Sequence, residues 1–458
     1  MATTKKATAA TAPNASDLVD AEPTKDLFIE MLVKDITLIP AIKDLVDNSV
    51  DGARALRAGS TAKNRYDGLE IRIDADKKHF KISDNCGGIP IDVARNYAFR
   101  FGRPKGMPRT PHSVGQFGVG MKRALFKLGT KFSIDSTAER SWFKLDVDVD
   151  AWRQRPEWQF VLTDHRDNEP QNTAKRGTTI VVPDLHDSVA EQFSLENFKT
   201  ELVKELEEAH QESLDSGLTI TLSGIPLRTR PLTLLQADEL KPVAYSRTIH
   251  VKDKGDVNVR IYVGVGKSDP VAGGWYVFCN GRLIVGADQS AVTGWGDTAE
   301  KGIPRYHGQF SRFRGFIFFD AADPLLLPWN TMKTGIDTDS PRFRAVRLDM
   351  TRLMRPVIDF LNKLDGEKAK YPDDDGPLQT VVRSGKDVRL SELPDNDKFL
   401  WPKPTPAPKS SGDATVIKYS RPTNKIKAVK AAIGARSNKE VGEKTFDYYF
   451  QAECDGDG

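Results

Sequence analysis

The chain has 458 residues, 39% of them hydrophobic and 29% charged, and a formal net charge of +3. That length exceeds one ordinary core and sets an expectation of two or three domains, while the near balance of charge means that any basic surface must be local. Cys86, Cys279 and Cys454 lie far apart in no metal-ligand spacing, which excludes a disulfide framework or a zinc site and fits a reducing compartment. The most apolar stretch, "GFIFFDAADPLLLPW", is interrupted by Asp320, Asp323 and Pro324 and is too broken to span a bilayer.

Residues 1–25 are rich in Ala, Thr and Lys and read as a disordered arm without a secretory signal, so the expected location is cytoplasmic or nucleoid-associated. A first domain is expected over 26–190. It opens with "DLVDNSVDGA", where Ile42, Leu45, Val46, Ser49, Val50 and Ala53 form one apolar helical stripe. Asp44, Asn48 and Asp51 fall on the opposite face. A solvated face is the ordinary reading of such a helix. Concentrated carboxylates beside an amide, with Lys43 the sole neighbouring base, also suit Mg²⁺, which takes a few hard oxygen ligands and leaves room for phosphate.

"LEIRIDADKKHFKISDNCGGIP" follows, with Leu69, Ile71 and Ile73 alternating before the turn and Phe80 and Ile82 after it. This predicts a hairpin that delivers Asp84 and the Gly87-Gly88 pair to a strand end. A carboxylate beside backbone without side-chain bulk admits a flat ligand; a plain turn is the alternative. In "VGQFGVGMKRALFKLG", Gly115, Gly118 and Gly120 lead into a helix over 121–128. Free amides at a glycine-rich helix start form a phosphate cradle, to which Lys122 could add charge. The spacing matches neither a Walker A loop nor a dinucleotide fingerprint. "RGTTIVV" then puts Gly177 and Thr178 at the start of a strand.

Residues 194–214 read as a charged connecting helix. The strand-like runs "LTITLSGIPL", "VNVRIYVGV", "GWYVFCNGRLIVG" and "FRGFIFFD" come next, then a helix over 340–364; together these predict a second domain over 191–365. Residues 366–412 have linker composition. A last module over 413–454 predicts a strand, a helix ended by Gly434, and a second helix capped by Ser437 or Asn438. It is too small to bury a good core, so dimerisation or docking is expected.

The acid-amide helix, the Asp-x-x-Gly turn, the glycine loop on a helix and the Gly-Thr strand occur in that order. The order resembles the GHKL (Bergerat-fold) ATPases, the class of type II topoisomerases, MutL-type repair proteins, heat-shock chaperones and histidine kinases. "NYAFRFGRPKG" resembles the nucleotide lid of that class. "LTITLSGIPL", "FCNGRLIVGAD" and "LLLPWNTMKTGID" resemble the transducer-like domain of microrchidia (MORC) ATPases. The implied fold class is α+β: a Bergerat-type α/β sandwich ATPase domain, a transducer-like α/β domain and a small strand-helix-helix module. The last resembles ribbon-helix-helix domains, with Lys418, Ser420 and Arg421 as candidate DNA contacts.

The resemblance implies ATP and Mg²⁺ as ligands and gives roles to particular residues. Asp44 takes the position of the carboxylate that polarises the attacking water, where the family usually has Glu. Asn48 matches the Mg²⁺-binding amide. Asp84 matches the acceptor for the adenine amino group, with Gly88 giving the base room and Thr178 supporting that end. Gly118, Val119 and Gly120 would present amides to phosphate; Lys105 and Lys122 are helpers or solvent-facing. Lys333 matches the transducer lysine that reaches the γ-phosphate. The implied function is a slow ATPase acting as a homodimeric, nucleotide-gated clamp on DNA, with no membrane role. A chaperone-like or signalling ATPase with a protein client, or a nucleotide-binding scaffold with little hydrolysis, are the alternatives.

Overall fold

The computed structural model describes residues 23–34, 36–102, 110–115, 118–297, 302–368, 371, 376–403, 417 and 419–454. The chain divides into two compact units, Met1–Pro402 and Lys403–Gly458.

The first half of the larger unit runs α1 (Lys25–Lys34), α2 (Leu38–Leu56), β1 (Glu70–Ala75), β2 (Phe80–Asp84), the short turn α3 (Ile91–Val93), α4 (Gly120–Leu128), β3 (Gly129–Thr137), β4 (Trp142–Asp148), α5 (Val149–Arg153), β5 (Leu162–Arg166), β6 (Gly177–Leu185), α6 (Asp187–Phe193), α7 (Glu196–Ala209), α8 (Gln211–Asp215), β7 (Thr219–Leu222) and β8 (Ile225–Pro226). The strands form one sheet in the order β5-β4-β3-β6-β2-β1-β7-β8. Along β1 and β2, Ile71, Ile73, Phe80 and Ile82 are buried while Arg72 and Asp74 are exposed, so one face is packed and the other solvated. The packed face shares a single core with α1, α2 and α4. Every predicted stripe residue of α2, from Ile42 to Ala53, is buried there, each large apolar side chain contributing about 1.5–3 kcal/mol. The predicted hairpin is present, β1 pairing antiparallel with β2.

One strand departs from the sequence reading. "LTITLSGIPL" was assigned to the second domain, but β7 pairs parallel with β1 and extends the first sheet. The predicted connecting helix, broken at His210 between α7 and α8, is therefore a crossover within the first sheet. Nothing in the alternation of Ile220 and Leu222 distinguishes one sheet from another.

The second half comprises β9 (Thr233–Gln236), β10 (Val243–Val251), β11 (Gly255–Val265), β12 (Gly274–Cys279), β13 (Arg282–Asp288), β14 (Phe313–Ala321), α9 (Pro341–Glu367), α10 (Pro377–Ser384) and β15 (Lys386–Arg389). Its sheet has the order β10-β11-β14-β12-β13. β14 is central and buried on both sides: Ile317 and Phe319 meet α9 residues such as Met354 and Phe360, whereas Phe316 and Phe318 pack with Leu234 and Leu390. Leu390 lies inside the stretch read as a linker. The described residues 376–402 are not a linker: α10 buries Leu378 and Val382, β15 pairs with β9, and Phe399 enters the second core. A few apolar anchors among Pro, Asp and Lys carry that docking, too sparse for a periodicity to reveal.

In the smaller unit, α11 (Thr423–Ala432) is followed by Gly434 at φ +60, and α12 (Asn438–Glu453) is capped by Ser437, whose hydroxyl accepts from Glu440 N. Lys418 and residues 414–416 of the predicted strand lie outside the described residues; its described residues, Ile417 and Tyr419 to Pro422, are not in a strand, and Ser420 and Arg421 are exposed.

Candidate nucleotide site

Two adjoining cavities open at α2, and Asn48 lines both. The smaller, about 60 Å³, is also lined by Ser49, Asp84, Gly88, Met121 and Thr178. The larger, about 260 Å³, is lined by Asp44, Gly118, Val119, Gly120, Lys122 and Lys333 among others. Every sequence-predicted site residue that is described therefore lies at one of two connected hollows. Lys105 lies outside the described residues.

At the smaller end, Asp84 terminates β2. Its carboxylate accepts from Ser49 Oγ at 2.6 Å, Cys86 N at 2.8 Å and Thr178 N at 3.3 Å. A carboxylate has about four acceptor positions; three are used, which leaves one for an incoming amine. Burial raises this carboxyl's pKa against those three hydrogen bonds. Thr178 also shares a 2.9 Å hydrogen bond with Ser136 Oγ, fixing the strand behind the cavity. Gly88 sits at φ +70, and a Cβ there would lie 2.0 Å from the Thr137 carbonyl. Its lack of a side chain serves close backbone approach as well as room for a ligand.

At the larger end, α4 starts at Gly120 with no side chain capping it among the described residues. Its first amides, with those of the preceding glycine turn, are the unsatisfied donors that bind anions. Gly118 is left-handed at φ +67, and a Cβ on Gly120 would stand 3.0 Å from Asp44 Oδ2. Glycine here lets the helix start approach the acid. Lys122 is buried, and its ammonium donates to the carbonyls of Ala98, at 2.8 Å, and Gly118. Burial pushes its pKa down to about 7. Among the described residues no carboxylate pairs with it.

The acids of α2, expected to face Mg²⁺ and phosphate, are instead engaged by protein groups. Asp44 is 3% exposed and is held by Arg123 Nη2 at 2.6 Å and Lys333 Nζ at 2.9 Å. Asp47, fully buried, accepts from Lys333 at 2.7 Å and from Arg282 Nε at 2.9 Å. Burial pushes the Asp47 carboxyl up, but Arg282 and Lys333 together hold it below the usual range. Burial pushes the Lys333 ammonium down, but Asp44 and Asp47 together raise it by more, and the net is upward. Asp51 instead accepts from Val114 N and Gly115 N, both at 2.7 Å, and so fastens the backbone leading to the glycine turn. Only Asn48 on this face is exposed.

Arg123, Arg282, Asp47 and Ser49 are site residues that sequence reasoning missed. Asp47 was visible in the quoted helix, and Arg282 in "CNGRLIV", but their partners lie more than two hundred residues apart in the chain. Arg282 starts β13, and Lys333 sits at φ +53 in the loop before α9, so both reach α2 from the second half of the larger unit.

Residues 36–178 match the family model for histidine kinase-, DNA gyrase B- and HSP90-like ATPases. This supports a GHKL-type ATPase domain. The matched span contains the α2 acids, the Asp84 turn, the glycine helix start and Thr178, and the mixed α/β structure is consistent with the GHKL fold. No curated protein matches the chain. No described helix is long and apolar enough to cross a membrane.

The donor set at this GHKL-type site can be tested against Mg²⁺. Among the described residues no cluster of three His, Cys, Asp or Glu side chains could hold a metal, and Asp44, Asp47 and Asp51 are all engaged. Asn48, exposed and lining both cavities, carries a hard amide oxygen. One protein oxygen completed by phosphate oxygens and water is a fit for Mg²⁺ that arrives with a triphosphate.

Proposed function

We propose that the chain is a Mg-ATP-binding and ATP-hydrolysing enzyme of the MORC-like branch, working as a nucleotide-gated homodimeric clamp in a DNA-related process such as repair, chromosome organisation or defence against foreign DNA. The observation that carries the reading is the position of Asn48, at the junction between a hollow ending in Asp84 and one ending in the α4 amides and Lys122. A base at one end and phosphates at the other place the metal between them, beside Asn48. Bound Mg²⁺ would neutralise phosphate charge and hold the triphosphate's geometry.

In this reading Asp84 accepts from the adenine amino group through its remaining acceptor position. The α4 amides and Lys122 bind phosphate oxygens. Lys333, now shared by Asp44 and Asp47, turns to the γ-phosphate and so reports nucleotide to the second sheet. Its departure leaves Asp44 held by Arg123 and free on one oxygen to accept from the attacking water. The arm is one methylene shorter than glutamate, which fits slow turnover.

The hold of Arg123 on Asp44 also favours a second reading, a nucleotide-binding scaffold that hydrolyses little. Asp44→Ala distinguishes the two: it stops a measurable turnover in the first and changes nothing in the second. The shared premise is tested by calorimetry with a non-hydrolysable ATP analogue and Mg²⁺. Asn48→Ala should abolish binding; retained affinity removes the metal assignment and with it the reading.

A further inference from the structure

Apart from the nucleotide site, a cavity of about 460 Å³ opens at the C-terminal end of α2. Arg54, Arg57, Arg65 and Arg260 line it against Glu212 and Asp320, and Asp51 behind the wall pairs with Arg54 at 3.8 Å, leaving one positive charge in excess. The four arginines are unequally occupied. Arg54 donates to the carbonyls of His112, at 2.8 Å, and Asn280, and Arg260 pairs with Asp320 at 3.0 Å. Arg57 is exposed and, among the described residues, donates to the Asp67 carbonyl, at 3.4 Å. Arg65 stands 3.5 Å from Glu212 Oε1, and its buried Nε has no hydrogen-bond partner among the described residues; neither has Glu212 Oε2.

Buried polar atoms in folded proteins are nearly always paired, so an orphaned guanidinium nitrogen beside a cationic cavity marks a missing acceptor. Burial, reinforced by Asp320, raises the Glu212 carboxyl pKa, which makes it a weaker competitor for the guanidinium groups. Arg54 and Glu212 pack closely on Gly281: a Cβ there, at φ +72, would lie 2.9 Å from both Arg54 Nη2 and Glu212 Oε2. None of the four arginines lines either nucleotide cavity.

We propose that this cavity binds a phosphate group, with Arg57 and Arg65 as its ligands and Arg54 and Arg260 fixed behind them as positive charge. Planar guanidinium forks match the paired oxygens of phosphate, and the excess positive charge matches its anionic charge. The phosphate belongs either to a nucleic-acid backbone or to a free small molecule. The site is independent of the nucleotide reading.

The test uses the full chain with its nucleotide pocket saturated by Mg²⁺ and a non-hydrolysable ATP analogue. A 30-base-pair DNA duplex and inorganic pyrophosphate are titrated separately into wild type, Arg57→Ala/Arg65→Ala and Arg57→Lys/Arg65→Lys, with unchanged melting curves confirming folding. Wild type should bind at least one probe, the alanine pair should lose about tenfold or more of that affinity, and the lysine pair should recover part of it. If DNA is the affected probe, the slope of log affinity against log salt should fall by about two and the source is a backbone. If pyrophosphate alone is affected, the source is a free phosphate compound. Equal affinity of wild type and the alanine pair for both probes, or no binding of either by wild type, overturns the proposal. Analogue affinity, measured first, should be the same in all three proteins; its failure in wild type counts against the nucleotide reading, while the two probe titrations still report on this cavity.

Discussion

Lys333→Met and Asp47→Asn remove opposite charges from one buried cluster, and the cluster's charge balance ranks their effects. Asp44 and Asp47 face Arg123, Arg282 and Lys333. His210, pushed down to about 3 by burial and by Arg282, is neutral near pH 7. The native cluster therefore carries one positive charge in excess. Loss of Lys333 leaves it balanced, with Asp44 on Arg123 at 2.6 Å and Asp47 on Arg282 at 2.9 Å. Loss of the Asp47 charge instead raises the excess to two and takes from Arg282 and Lys333 their common acceptor. Leaving a buried charge uncompensated costs about 3–5 kcal/mol, and that figure applies to Asp47→Asn. Lys333→Met forfeits charged hydrogen bonds but strands no carboxylate, and should cost about 2 kcal/mol. Urea unfolding of the nucleotide-free chain, followed by tryptophan fluorescence, compares the two midpoints under one set of conditions. A Lys333→Met protein as unstable as Asp47→Asn, or more so, refutes the charge balance.

Two further outcomes follow from pKa shifts. The Lys122 ammonium, with a pKa near 7, is about nine-tenths protonated at pH 6 and about one-tenth at pH 8. If phosphate binds the charged form, affinity for the Mg-ATP analogue should weaken up to about tenfold over that interval, and Lys122→Met should flatten the profile; a flat wild-type profile contradicts the cradle assignment. The folded value of His210 lies below its unfolded value of about 6.5, so its stabilising contribution is complete above about 6.5 and is lost as pH falls toward 3. His210→Gln should make the stability curve shallower in that window, measured by urea midpoints at several pH values, and an unaltered curve counts against a buried neutral imidazole.

Local patterns were legible where a single element carries them. The α2 stripe, the β1–β2 hairpin, the glycine helix start and the Ser437 cap each follow from spacing within about twenty residues, and each matches the described structure. What escaped was set by tertiary partners. The acids of α2 look alike in sequence, yet Asp44 and Asp47 meet cations from α4, from the second sheet and from the loop before α9, Asp51 meets backbone amides, and Asn48 meets an open cavity. The docking of 376–402 rests on a few apolar anchors, and the membership of β7 in the first sheet rests on its pairing with β1. Neither leaves a periodic signal.

The most direct measurement is a crystal structure of the full chain grown with Mg²⁺ and a non-hydrolysable ATP analogue. The account requires the base amino group on Asp84, the metal on Asn48 Oδ1, phosphate oxygens at the Gly118–Gly120 amides, and Lys333 turned from Asp44 and Asp47 toward the terminal phosphate. A nucleotide seated elsewhere, or one bound here with Asn48 away from the metal and Lys333 still on both aspartates, contradicts it.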